Sequence, residues 1–384
     1  MKPPVPTRRD TIWITDAAAV TALGRTIEDT WQGLIKSKTA IRPVERFRAG
    51  GYRSDVAACI PDLGADESGS RLSDLLRRLV LRMGEVPSDA RLITATTKGG
   101  IDVLERFIRN PPSNVENVLP SAIDRLAADV FGLKRQAFTI SAACASSAIA
   151  VSQACAFIHA GETDAALVCC ADLVTEFVFS GFSALGALSP TPCTPFDRDR
   201  EGLSLGEGAA GLLLMPSARA KAEGKRCLGR ILGWGSGCDA FHLTTPAPDG
   251  TGLIAAMDRA FERAKLSKDA VGVICAHGTG TVSNDAMELT AYDHVFGRTW
   301  PPVYSMKGAV GHTLGAGGGI EVAIGLKALS QHIAPPTVGL SHPVEAARGR
   351  VTTQNTPFDG DVLLSCNSGF GGINTALIVQ RGDG

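Results

Sequence analysis

The chain has 384 residues, of which 44% are hydrophobic and 20% charged, with a formal net charge of −1. That length holds two or three domains or one large fused fold, and the composition excludes intrinsic disorder. The near-neutral charge gives no support to nucleic-acid binding. No apolar run reaches the roughly 18 residues of a membrane span, and residues 1–10 carry no apolar signal core, so the expected location is the cytoplasm.

Taken in chain order, residues 66–89 begin charged and serine-rich and then turn helical, which reads as a surface insertion. A helix is expected over 146–160, followed by a buried strand over 165–170. Strands are expected again over 208–215, 228–234, 271–276 and 362–366. Helices are expected over 252–265, 285–296 and 313–332. Apolar strands alternating with alanine-rich helices predict an α/β fold with covered sheets. A strand, a small-residue turn and an alanine-rich helix follow one another at 138–160 and again at 303–331. This suggests two related halves, 1–220 and 221–384, divided near Pro216 to Arg226.

Ten cysteines occur, and none form a C-x-x-C pair, so no structural metal site is expected. Most read as small buried apolar residues. Cys144 stands apart in Ser141-Ala142-Ala143-Cys144-Ala145-Ser146-Ser147, at a strand-to-helix turn. A helix N-terminus lowers a thiol pKa, and its free amides can hold an oxyanion. A buried structural cysteine at a helix start is the competing reading at even weight.

Of seven histidines, His277 lies at a strand end in Ala276-His277-Gly278-Thr279, and His312 in the glycine-rich turn Gly311-His312-Thr313. Either one alone reads as a loop histidine bonded to backbone. A thiolate with two imidazoles is specific chemistry, because two neutral N–H donors can hold the enolate left when a malonyl thioester loses carbon dioxide. Lys307 adds positive charge five residues before His312. His159, His294, His332 and His342 read as surface histidines. The loop Asn367-Ser368-Gly369-Phe370-Gly371-Gly372-Ile373-Asn374, after the strand expected over 362–366, offers free amides and one aromatic ring, without the spacing of a dinucleotide or phosphate loop.

These stretches, with Pro195-Phe196-Asp197-Arg198, Gly206-Glu207-Gly208-Ala209 and Asp239-Ala240-Phe241-His242 between them, resemble the elongating β-ketoacyl-acyl-carrier-protein synthases of the thiolase-like superfamily over almost the whole chain. The resemblance implies a five-layer αβαβα fold of two similar halves and a dimer. It implies that Cys144 is the acylated nucleophile, that His277 and His312 handle malonyl decarboxylation, and that Lys307 with Glu321 supports them. Phe370 matches the gating aromatic, with its amide, beside Gly371, and that of Cys144 forming the oxyanion hole. Thr279 and Thr281 match the threonines that hold the pantetheine arm. Asp239, Asp285 and Glu288 match acids that support the site from behind.

No metal or organic cofactor is implied, since the phosphopantetheine belongs to the acyl carrier protein substrate. The implied activity is decarboxylative Claisen condensation in fatty acid, polyketide or polyene synthesis. The alternative is one subunit of a ketosynthase–chain-length-factor heterodimer whose partner sets product length. A thiolase would need a second acid–base cysteine suitably placed, and the initiating synthases carry Asn where His312 stands. Asp16-Ala17-Ala18 replaces a glycine-containing turn of the family, and Thr194, Ser368 and Ile373 replace an arginine, a bulky aromatic and a threonine. These departures lean toward a specialised product. Arg77, Arg78 and Arg109 offer charge to an acidic carrier, although a solvated surface is the simpler reading.

Overall fold

The computed structural model describes residues 11–64, 70–109, 118–133, 137–297 and 299–383. Ten strands form the main sheet: β1 (Ile12–Thr21), β2 (Arg91–Ala95), β3 (Phe138–Ile140), β4 (Ala166–Asp172), β5 (Gly208–Pro216), β6 (Gly229–Cys238), β7 (Val273–Cys275), β8 (Val303–Tyr304), β9 (Val362–Gly369) and β10 (Ile373–Arg381). Their order is β8-β7-β9-β10-β6-β1-β5-β4-β2-β3. Read outward from the centre, the two sets of five follow the same path. In each set the second strand runs parallel to the third and fourth, and the fifth runs antiparallel to the fourth and first. The sets join where Ile12 and Ile14 of β1 face Ile231 and Gly229 of β6.

Both faces of each set are covered, so its strands are apolar on both sides rather than alternating. Leu92, Leu167 and Cys169 point outward against α1 (Arg71–Val80) and α2 (Ala122–Phe131). Ile274, Leu364 and Ile378 point outward against α4 (Thr251–Ala264) and α5 (Val282–Phe296). Ile93, Val168 and Leu212 from one set, and Val273, Leu363 and Leu377 from the other, share one cluster with α3 (Ser146–His159) and α6 (Gly317–Gln331). These two helices are apolar nearly all round, as a helix enclosed by two sheets must be. Small residues allow the contact: a Cβ on Gly318 would meet the Ala148 side chain at 3.0 Å, and one on Gly319 the Cys170 sulfur at 2.5 Å. The layers run α1/α2, sheet, α3/α6, sheet, α4/α5, which is the expected five-layer αβαβα arrangement.

Several expectations need correction. Residues 70–80 are not a surface insertion. Ser70 caps α1 through the Leu72 amide, and Leu72, Leu75, Leu76 and Leu79 are fully buried against the sheet. The charged residues that suggested exposure occupy only the outer face. Residues 16–18 form no turn but lie inside β1, past an irregularity between Ile14 and Asp16. The helix expected from 313 starts at Gly317, after a tight turn over Leu314–Ala316. His159 is half-buried, its ring 5.1 Å from that of Trp234, and His332 is half-buried beside Phe358, whereas His294 and His342 are exposed. Arg78 is paired with Asp74 at 2.8 Å, and the Arg109 side chain lies outside the described residues. No helix among the described residues is long and apolar enough to cross a membrane.

Candidate active site

Three strand-to-helix connections meet at one end of the central layer. The first runs from β3 to α3. Ala143 takes a positive φ of 48°, an uncommon conformation for a residue with a side chain. Ser146 holds it, its hydroxyl accepting from the Ala142 amide at 2.8 Å and donating to the Ala143 carbonyl at 2.6 Å. This bend sets Cys144, 6% exposed, just ahead of α3.

The second connection runs from β7 to α5 and carries His277, Thr279 and Thr281. Glu288, one turn inside α5 and fully buried, gathers it. Its carboxylate accepts from the amides of His277 (2.7 Å) and Gly278 (2.6 Å), from Asn284 (2.9 Å) and from the Tyr292 hydroxyl (2.8 Å). Asp285 accepts from the amides of Phe196 (2.7 Å) and Gly280 (3.2 Å), with the Arg200 guanidinium 3.5 Å away. Both acids therefore hold backbone and do not face the cavity.

The third connection runs from β8 to α6. Lys307, 2% exposed, donates to Glu321 Oε1 at 2.6 Å. His312 donates its amide to the Ser204 carbonyl at 2.7 Å. Its Nε2 lies 2.9 Å from Cys144 Sγ, and its ring stands 5.2 Å from that of His277 at 87°.

A cavity of about 330 Å³ opens over these groups. Cys144, His277, His312, Thr279 and Thr281 line it. So do Phe370, Gly371 and Asp239, whereas Lys307, Glu321, Asp285 and Glu288 sit behind the wall. The Thr279 and Thr281 hydroxyls are 2.9 Å apart. The Phe370 ring stacks on Phe182 at 5.7 Å, and the Gly371 amide donates to the Leu243 carbonyl at 2.8 Å. Asp239 ties two loops together, accepting from the Ala247 amide at 2.9 Å and donating its own amide to Gly372 at 2.9 Å. Among the described residues, the amides of Cys144 and Phe370 donate to no other backbone carbonyl.

Burial pushes both imidazoles well below their ordinary pKa, and the Lys307 charge, plus His312 in the case of His277, pushes the same way. Both rings are neutral at pH 7, and each Nδ1 is buried without a partner among the described residues. Burial also pulls Lys307 down, but Glu321 outweighs it and the ammonium is held above its usual range. The thiol runs against expectation. Burial lifts Cys144 to about 12, and Asp172 adds to the lift, while Lys307 and Lys98 only partly oppose it. Desolvation outweighs the helix N-terminus, so the resting sulfur is a thiol rather than the expected thiolate.

Several residues in and around the site went unnoticed in the sequence. Asp172, at the end of β4, accepts from the Thr96 hydroxyl (2.7 Å), the Thr97 amide (3.0 Å) and the Gly315 amide (2.6 Å), joining the two halves beside Cys144. A carboxylate closing an apolar strand was the available signal. Nothing in the sequence marks Phe182 or Asn284, and Asn367 reads only as the start of the glycine loop, whereas it lies inside β9. Asp197, Asp199 and His342 lie close enough together for a shared ion, but Asp197 already accepts the amides of Asp199, Ser341 and His342.

Two like halves around a shared helical layer, with a cysteine and two histidines where their connections meet, define a thiolase-like protein. The chain matches the β-ketoacyl synthase N-terminal domain over residues 93–220 and the C-terminal domain over 228–341. It is 30% identical to a 3-oxoacyl-[acyl-carrier-protein] synthase 2 of Synechocystis sp., over 96% of this chain and 97% of that protein. Among solved structures it is similar to the ishigamide ketosynthase/chain length factor, with a TM-score of 0.88 and 26% identity over 97% of this chain and 100% of that one. A β-ketoacyl synthase from Burkholderia phymatum gives a TM-score of 0.86 and 28% identity over 97% and 99%. The chain belongs to the β-ketoacyl synthase family.

Proposed function

We propose that the protein joins acyl units by decarboxylative Claisen condensation, with acyl carrier protein delivering both substrates. The observation that carries this reading is the meeting of Cys144 with His312 at 2.9 Å, and of His312 with His277 at 5.2 Å, inside one cavity. Residues 1–220 supply the nucleophile and 221–384 the two imidazoles.

In the first step Cys144 Sγ attacks an acyl-carrier thioester. His312 Nε2 takes the thiol proton as the carbon–sulfur bond forms and returns it to the departing carrier thiol. The amides of Cys144 and Phe370 hold the oxyanion. In the second step malonyl carrier protein places its thioester oxygen before the imidazole pair. The carbon–carbon bond to the carboxylate breaks, carbon dioxide leaves, and the electron pair stays as an enolate held by two neutral N–H donors, His312 carrying its proton on Nε2 once Cys144 is acylated. The enolate carbon attacks the acyl carbon on Cys144, and the released sulfur takes one proton from solvent. Thr279 and Thr281 hold the pantetheine arm, and Phe370 gates the acyl group. Glu321, Asp239, Asp285 and Glu288 keep the loops and Lys307 in place. No metal or cofactor enters the balance. The cytoplasm is the compartment this reading requires.

The similarity to a ketosynthase/chain length factor structure supports a second thiolase-fold subunit as partner. The protein keeps Cys144, both histidines and Lys307, so it takes the active position in such a pair, or pairs with itself. Size-exclusion chromatography separates the cases: a dimer of the chain expressed alone supports self-pairing, and a monomer or insoluble product supports an obligate partner. The activity is tested by intact-protein mass spectrometry after exposure to a panel of acyl carrier proteins. The acyl mass is expected on Cys144 and absent in Cys144→Ala. A panel that leaves wild-type Cys144 unmodified contradicts the proposal.

A further inference from the structure

Lys307 and Glu321 form an ion pair behind the cavity, each 2% exposed. Such a pair is weak evidence for stability, because desolvation of both ions offsets their attraction unless every remaining lone pair is satisfied. Glu321 gains one such further bond from a single residue. Its Oε1 accepts from Lys307 Nζ at 2.6 Å, and its Oε2 accepts from Asn367 Nδ2 at 2.6 Å. With a donor on each oxygen, the carboxylate cannot turn.

Asn367 is fully buried in β9, three residues before Phe370. Its Oδ1 has no hydrogen-bond partner among the described residues, and an added Cβ on Gly318 would lie 2.6 Å from that oxygen. A buried amide with one end unsatisfied is costly to keep. Its other end makes a charge-assisted bond to the carboxylate that holds Lys307. Lys307 is also faced by Glu288 and by the thiols of Cys144 and Cys193, and Glu321 by the thiols of Cys275 and Cys366 and the Tyr304 phenol, Cys275 facing both ions. Burial keeps these thiols and the phenol protonated.

We infer that Asn367 is a positioning residue for the histidine pair: by occupying the second oxygen of Glu321 it fixes Lys307, and with it the positive charge that His277 and His312 face. The inference rests on the proposed condensing activity. It predicts that Asn367 matters more for malonyl decarboxylation than for loading of Cys144, because decarboxylation uses both imidazoles and loading only His312.

The test uses the full chain with Asn367→Leu, which removes the amide at similar size, and Asn367→Asp, which replaces the donor with a second carboxylate. Malonyl-carrier decarboxylation is followed across pH, Cys144 acylation by intact mass, and folding by thermal melting. In Asn367→Leu, kcat for decarboxylation is expected to fall between about tenfold and a hundredfold. KM and the rate of Cys144 acylation stay within about twofold of wild type, for the reason just given. In Asn367→Asp the new carboxyl lies against Glu321 in a buried site, so the two share one proton; the bond to Oε2 is kept at low pH, and decarboxylation falls relative to wild type as the pH rises and that proton leaves. A residue that served packing alone would give no such alkaline loss, because no bond to Glu321 would depend on the shared proton. Should either variant fail to melt cooperatively, Asn367→Ser, which shortens the side chain without adding bulk or charge, is expected to show the same kcat loss. Wild-type decarboxylation in a folded Asn367→Leu or Asn367→Ser, or a folded Asn367→Asp with no alkaline loss relative to wild type, overturns the inference alone. A wild type that decarboxylates no malonyl carrier overturns the condensing assignment as well.

Discussion

The two halves of the sheet follow one strand path, yet they do opposite things to a proton. In the first half, the connection from the third strand to the central helix carries Cys144, and burial there raises a thiol to about 12. In the second half, the same connection carries His312, and the connection before it carries His277. Burial there lowers two imidazoles. Both shifts come from one cause, the removal of charge-solvating water, and it keeps acid and base alike neutral. A duplicated fold thus brings a neutral nucleophile and two neutral donors to one point. Lys307, the charge that both imidazoles face, is supplied by the second half and balanced by Glu321 from the same half.

Breaking the second half's contribution should have the largest effect. His277→Ala and His312→Ala should each lower malonyl decarboxylation by roughly 10²–10⁴-fold. His277→Ala should leave Cys144 acylation near wild type, because His312 is the imidazole at hydrogen-bond distance from the sulfur. Removing the charge is next. Lys307→Met leaves Glu321 buried and unpaired, and should cost about 3–5 kcal/mol of stability in denaturant titrations. In the first half, Leu76→Ala opens a hole between α1 and the sheet. It should cost about 2–5 kcal/mol while the residual folded enzyme keeps wild-type kcat.

The smallest effect concerns Glu288, whose carboxyl burial, with Asp285 nearby, lifts to about 7 from an ordinary 4.5. An acid raised in the folded state stabilises the protein fully below its ordinary pKa, and that contribution is lost as pH rises through the folded value. The melting-temperature advantage of wild type over Glu288→Gln should therefore shrink between pH 4.5 and about 7. An advantage that widens across that window would show that the buried carboxylate is favoured instead.

The sequence made Cys144, His277, Lys307 and His312 legible because each stands on a strand-to-helix connection rich in small residues, where a reactive side chain has few other reasons to be. It was less informative where burial decides. The state of the Cys144 thiol depends on desolvation by residues far away in the chain, and the helix start alone pointed the wrong way. The charge on Arg71, Asp74, Arg77 and Arg78 hid the four leucines that bury α1. Asp172 and Asn367 could not be singled out, since their importance lies in partners 143 and 46 residues distant. Asp16-Ala17-Ala18 looked like an altered turn because glycine was missed there. In the fold it is a strand interior, where glycine would only weaken the ladder.

The central claim is that decarboxylation belongs to the imidazole pair and nucleophilic attack to the cysteine. Cys144→Gln removes the sulfur while leaving both rings in place. Carbon dioxide release from malonyl carrier protein by this variant should persist at a measurable rate with no acyl-enzyme formed, and should vanish when His277→Ala is added. Loss of carbon dioxide release in folded Cys144→Gln, or its persistence in the double variant, would contradict the account.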